Sequence, residues 1–177
     1  MASIKTQAPE TATGEVADIY AQITNFFGGV PTPLRVLSAN PLWLRQQVEA
    51  MGYYMSHPTL SFATLATLRM LVSMGTECAY CIDRNAAFLI ERAGWTADQV
   101  AAAKTDLDKS PLSERERAMV KVAVKASKAP RTVSEADIES LRALGWSDAD
   151  ILDGIQHAAR MVAMDILIDA FKVERDF

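Results

Sequence analysis

Cys78 and Cys81 are the only two cysteines among 177 residues, and they stand three apart in Glu77-Cys78-Ala79-Tyr80-Cys81. Residues at this spacing share a helix face, so the two sulphurs can close a disulfide without large backbone movement. Amide groups at a helix start carry unsatisfied partial positive charge, which favours thiolate over thiol and draws a cysteine pKa from about 8.5 toward neutrality. Cys78, nearer the helix end, gains more from this field than Cys81. Glu77 opposes it, because an adjacent carboxylate disfavours a second negative charge unless it points away or holds a proton for relay. A thiolate beside a resolving thiol can attack an O–O bond to give a sulfenic acid, which the partner condenses to a disulfide. An external dithiol would then regenerate the pair. The competing reading is two small buried hydrophobes, which loses ground because both cysteines sit at one helix start.

Other chemistry-bearing residues give weaker signals. A structural zinc site needs four ligands, a second Cys-x-x-Cys is missing, and the two histidines, His57 and His157, are isolated in sequence, so no metal or other cofactor is expected. His157 lies in the apolar run 155–166, where a histidine satisfied by a carbonyl is the commoner arrangement. His57, before Pro58, reads as a loop residue. Tyr53, Tyr54, Phe62 and Tyr80 can line a pocket or simply pack a core. Asp165 and Asp169, one helical turn apart, are accounted for as exposed acids of a terminal helix.

The elements that must position the cysteines all read as helices. Val16, Ile19, Tyr20 and Ile23 recur at helical spacing, and Gly28-Gly29 with Pro31-Thr32-Pro33 ends that pattern. Asn40 caps a second helix with Pro41 at its first position, running to about Ser56. Residues 60–74 are apolar on most sides with Arg69 the single charge, which suggests enclosure by neighbours and, specifically, burial by another subunit. Gly75-Thr76 interrupts this helix, and Thr76 caps the next from about Glu77 to Ala93, with Gly94 as its left-handed stop. Thr96/Gln99, Ser113/Glu116, Ser134/Asp137 and Ser147/Asp150 each pair a hydroxyl cap with a side chain able to reach back. They start helices near 97–104, 114–128, 135–144 and 148–171.

A repeat accompanies them. Leu60-Ser61 is matched by Leu112-Ser113, and Gly94-Trp95-Thr96 by Gly145-Trp146-Ser147. The expected architecture is all-α: one domain over 1–177, a compact bundle of about seven helices with two related halves at about 60–110 and 112–163. In the second half the cysteine positions fall on Pro130 and Val133, so only the first can carry thiol chemistry.

Composition agrees. Half the residues are apolar and 23% charged, enough for a core and for solubility, and glycine and proline together number only 15. A net charge of -4 leaves no broad positive field to hold nucleic acid or an anionic membrane. The first ten residues lack the apolar core of a signal peptide, and no stretch offers about 18 uncharged apolar residues, so a cytoplasmic location is expected.

Together the residues suggest a family. The stretch Glu77-Cys78-Ala79-Tyr80-Cys81-Ile82-Asp83-Arg84-Asn85, behind a buried helix opened by Leu60-Ser61, resembles the Cys-x-Tyr-Cys region of alkylhydroperoxidase D-like proteins in the carboxymuconolactone decarboxylase superfamily. Phe27-Gly28-Gly29-Val30-Pro31, Leu112-Ser113-Glu114-Arg115-Glu116 and Gly145-Trp146-Ser147 are similar to its peroxidase-related branch, and the likeness runs from about 15 to 173. The resemblance implies an alkylhydroperoxidase D-like fold and assembly into dimers, trimers or hexamers. It also implies reduction of peroxides at the expense of an external dithiol. It casts Cys81 as the attacking thiol and Cys78 as the resolving one, against the order the helix field favours, so the order stays open. The family's relay glutamate and histidine fall on Ala66 and Asn85, neither of which moves a proton at neutral pH. Glu77 and Tyr80 are nearby candidates to take over. Two alternatives follow: an oligomeric helical scaffold or redox-sensing protein without efficient turnover and, less well matched, a lactone decarboxylase.

Overall fold

The structure, a computed structural model, describes residues 3–176 and contains nine α-helices and no strand among them. Two compact units are present, one built from 3–57 with 166–176 and the other from 58–165.

In the first unit, α1 (Gly14–Phe27) stops where Gly28 takes a left-handed φ of 75°, and α3 (Pro41–Met55) starts where Asn40 accepts from the Leu42 amide. Between them lies α2 (Thr32–Leu37), where the sequence pattern predicts a break. The proline pair does not prevent it, because Pro33 falls in the first turn, where no intrahelical amide bond is lost. Val16, Ile19, Tyr20, Ile23, Val30, Leu34 and Leu44 form the core. The C-terminal segment belongs here: the Ser3 amide donates to the Phe171 carbonyl at 2.8 Å and the Thr32 hydroxyl to the Glu174 carbonyl at 2.8 Å. Tyr54 is buried and stacks near His57, with ring centroids 6.3 Å apart, and His57 is a loop residue as expected.

The second unit contains α4 (Phe62–Thr76), α5 (Ala79–Glu91), α6 (Ala97–Thr105), α7 (Glu114–Lys128), α8 (Glu135–Ala143) and the part of α9 (Asp148–Ala170) up to residue 165. α4 is its central rod, packed against α5 and α7 with Leu65, Ala66, Leu68, Met70 and Val72 buried. The enclosure anticipated from its apolar sequence is thus supplied by the same chain. Where α7 and α9 meet, Gly154 leaves room for Met119, whose Sδ would stand 2.5 Å from a Cβ at that position.

All four hydroxyl caps form. Thr96/Gln99, Ser113/Glu116 and Ser134/Asp137 are reciprocal capping boxes, and the Ser147 amide donates to Asp150 Oδ2 at 3.0 Å while the Asp150 amide donates back to Ser147 Oγ at 3.1 Å. The matched stretches also share local geometry, with left-handed Gly94 and Gly145 preceding buried Trp95 and Trp146. Two of the boxes reach beyond their own helices. Glu116 Oε2 accepts from the Ser113 amide at 2.9 Å, and Oε1 accepts from Ser61 Oγ at 2.7 Å and Thr64 Oγ1 at 2.8 Å, which ties the start of α7 to the start of α4. Asp150 likewise accepts from Thr59 Oγ1.

Partial burial pushes the Glu116 pKa up, but the bonds from Ser61, Ser113 and Thr64 outweigh it and hold the group at about 2. A carboxyl depressed on folding contributes stability above its unfolded pKa of about 4.3, and that contribution fades as pH falls toward the folded value. Because the group is partly solvated and screened, Glu116→Gln is expected to cost about 1–2 kcal/mol at pH 7. Denaturant titrations should find the gap between the two proteins closing between pH 4.5 and pH 2; a gap unchanged across that window would contradict the assignment.

Candidate functional site

The end of α4 sets up the thiols. The helix runs through Gly75 and Thr76 rather than breaking there, and the chain turns at Glu77, a non-glycine residue at φ 60° and ψ 23°. This left-handed conformation costs an L-residue about 1 kcal/mol, and it lets the Cys78 amide donate back to the Ser73 carbonyl at 3.0 Å. Cys78 is then the N-cap of α5 and Cys81 its third residue. The expectation that Thr76 caps this helix is corrected: the Thr76 hydroxyl donates instead to Asp165 Oδ2 at 2.6 Å. Gly94 is left-handed as expected, at φ 73°.

Asp165 departs from its expected place on an exposed face. It is 0% exposed, whereas Asp169 is exposed as anticipated. A carboxylate oxygen of Asp165 and the sulphurs of Cys78 and Cys81 all lie within 4.8 Å of one another. Ser73 Oγ donates to Oδ1 at 3.1 Å, complementing Thr76 on Oδ2. Burial dominates and raises the Asp165 pKa, against the opposing pull of those donors. Cys81 is also raised, by its hydrogen bond with Cys78, by burial and by the Asp165 charge. A sequence signal for this acid does exist: residues 154, 158, 161, 165 and 168 follow one helical stripe and are buried, while 169 lies off it.

A second set of polar groups adjoins Cys81. Ala66 is completely buried, and one turn further along the same face of α4 is Arg69. Arg69 Nε donates to Asn85 Oδ1 at 2.7 Å, and Asn85 Nδ2 donates to the Cys81 carbonyl at 2.8 Å. Arg69 Nη1 also donates to His157 Nε2 at 3.1 Å; since a guanidinium only donates, that ring nitrogen accepts and is unprotonated. Thus a guanidinium faces His157 where a carbonyl was expected. Loss of hydration lowers the Arg69 pKa to about 10, and the nearby Cys81 charge works in the opposite direction. The cation therefore persists at neutral pH within the field of the Cys81 sulphur.

The remaining candidates separate. Glu77 is exposed, so the carboxylate that faces the thiols is that of Asp165. Tyr80 is buried, Phe62 packs edge-on against Phe88 with centroids 6.2 Å apart, and Tyr53 and Tyr54 belong to the other unit with His57.

No family model and no curated protein matches the sequence. Solved structures do match in fold. An uncharacterized peroxidase-related protein from Silicibacter sp. TM1040 superposes with a TM-score of 0.85 at 21% identity, over 99% of this chain and 92% of that one. An uncharacterized peroxidase-related protein from Ralstonia eutropha JMP134, described as an alkylhydroperoxidase AhpD core, gives 0.83 at 21% identity with the same coverage. The debrominase Bmp8, a cysteine-to-alanine variant of which was solved in complex with 2,3,4-tribromopyrrole, gives 0.74 at 15% identity over 92% of this chain and 86% of its own. The all-helical architecture and these superpositions agree: the chain has the alkylhydroperoxidase D-like fold, the architecture of the peroxidase-related proteins it matches.

Proposed function

We propose that the chain is a thiol-dependent oxidoreductase that reduces peroxides through the Cys78/Cys81 pair, with Asp165 as its proton acceptor. One observation carries the reading: a fully buried carboxylate, its pKa raised by that burial, stands within 4.8 Å of both sulphurs. A carboxylate whose pKa is raised by burial is a stronger base than an ordinary one, which suits it to accept a proton from a neighbouring thiol. Asp165 thereby takes the part for which Glu77 and Tyr80 were the sequence candidates, where Ala66 and Asn85 cannot act.

Cys81 keeps 4% of its surface exposed and Cys78 none, so access favours Cys81 as the attacking sulphur. Asp165 accepts its proton, and the thiolate, stabilised by the Arg69 cation, attacks the outer peroxide oxygen. An S–O bond forms, the O–O bond breaks, and the alkoxide takes the proton from Asp165 and leaves as the alcohol, which restores the carboxylate. Cys78 then attacks the sulfenic sulphur, its own proton passing through Asp165 to the departing hydroxide, so that water leaves and the disulfide forms. Two electrons have moved from the thiols to the peroxide, and an external dithiol returns them.

A second reading, redox sensing without efficient turnover, is favoured by the burial of both sulphurs and the raised Cys81 pKa, since a thiol held protonated reacts slowly. Residence in the cytoplasm and assembly into a homo-oligomer remain proposals that accompany either reading.

Peroxide consumption with a dithiol donor separates them. Wild type should turn over, Cys81→Ser should be inactive, and Cys78→Ser should stop after one equivalent with a trappable sulfenic acid. Stoichiometric disulfide formation without turnover would select the sensor, and equal rates in all three proteins would remove thiol chemistry altogether. Asp165→Asn should slow disulfide formation by about 10²-fold or more, the usual worth of a positioned base. An unchanged rate in a folded Asp165→Asn protein would discard the proton-acceptor role.

A further inference from the structure

We propose that the reduced triad of Cys78, Cys81 and Asp165 is a binding site for a single zinc ion. The sequence alone offers zinc only two ligands close together; the fold brings a third from α9, 84 residues beyond Cys81. Sulphur ligands bind zinc at about 2.3 Å and carboxylate oxygens at about 2.0–2.2 Å, so tetrahedral edges between them span roughly 3.4–3.8 Å. The three donor atoms, all within 4.8 Å of one another, need to close by about 1 Å, which side-chain rotation at the end of a helix can supply.

Three further features favour the ion. Cys-x-x-Cys at a helix start is the spacing with which zinc proteins present two thiolates to one metal. Ser73 and Thr76 donate to both oxygens of Asp165, the outer bonding that fixes the orientation of a ligating carboxylate. Charge also balances: two thiolates and a carboxylate carry three negative charges, the ion two positive, and the Arg69 guanidinium beside Cys81 the last. On binding, the two thiol protons pass to solvent, two Zn–S bonds and one Zn–O bond form, and solvent fills the fourth position. Two thiolates exclude magnesium and calcium, which prefer oxygen donors. Zinc and peroxide would then compete for the same electron pairs on sulphur, so that the loaded chain is protected from oxidation and the disulfide form releases its ion.

The test needs no peroxide turnover and therefore stands apart from the peroxidase reading. The full chain, reduced under anaerobic conditions, is titrated with zinc against a chromophoric chelator, and cobalt(II) serves as the spectroscopic probe. One ion per chain with submicromolar affinity is expected, together with sulphur-to-cobalt charge transfer and intense tetrahedral bands. Affinity should fall at least 100-fold in the disulfide form and in Cys78→Ser, and at least tenfold in Asp165→Asn. Zinc should also shield both wild-type cysteines from alkylation, a measurement that needs no variant. Equal affinity in reduced and disulfide forms, weak octahedral cobalt spectra, or alkylation unaffected by zinc would each overturn the site.

Discussion

The site depends on keeping one carboxylate out of water. Asp165 has no exposed surface, and a lone ionised acid in that position would be costly. Ser73 and Thr76, one from the last full turn of α4 and the other from its final residue, supply the donors that make its burial tolerable. The two sulphurs lie within 4.8 Å of the same carboxylate, so each is part of the acid's immediate surroundings. Removing any member of this group changes the environment of the others, and the energetics belong to the set rather than to single residues.

The same device appears twice more in the scaffold without chemistry attached. Glu116 and Asp150 each cap their own helix and accept hydroxyl bonds from the segment that leads into α4. Acids between helix starts suit the positive ends of the backbone dipoles, and they fix the direction in which α4 enters the second unit. Its far end is then fixed by Asp165. The rod that carries Arg69, Ser73 and Thr76 is therefore held by carboxylates at both ends.

Much of this is legible in the sequence. Hydroxyl caps and left-handed glycines are local signals, and they locate α6 to α9 within a residue or so because the groups that satisfy each helix end lie within four positions of it. The all-helical class follows from the same periodicity. α2 escapes such a reading because proline breaks a helix interior yet is compatible with a first turn, and the pattern alone does not say which place it holds. α4 runs two residues past the expected break because Thr76 finds its partner in α9, a long-range bond that no local pattern announces. Asp165 is hidden for a related cause: acids spaced four apart look like a solvated face, and only the register of the apolar stripe distinguishes 165 from 169. Arg69 is visible as the one charge in an apolar helix, but its role depends on Asn85 and His157 converging from α5 and α9.

Glu77 occupies a backbone conformation that glycine would adopt more easily, immediately before the first sulphur. A glycine there would ease the turn yet let the following residue sweep a wider cone, blurring the aim of Cys78 toward its partner. Conformational comfort and sulphur alignment thus pull this single position in opposite directions, and a bulky L-residue acts as a stop that narrows the hinge.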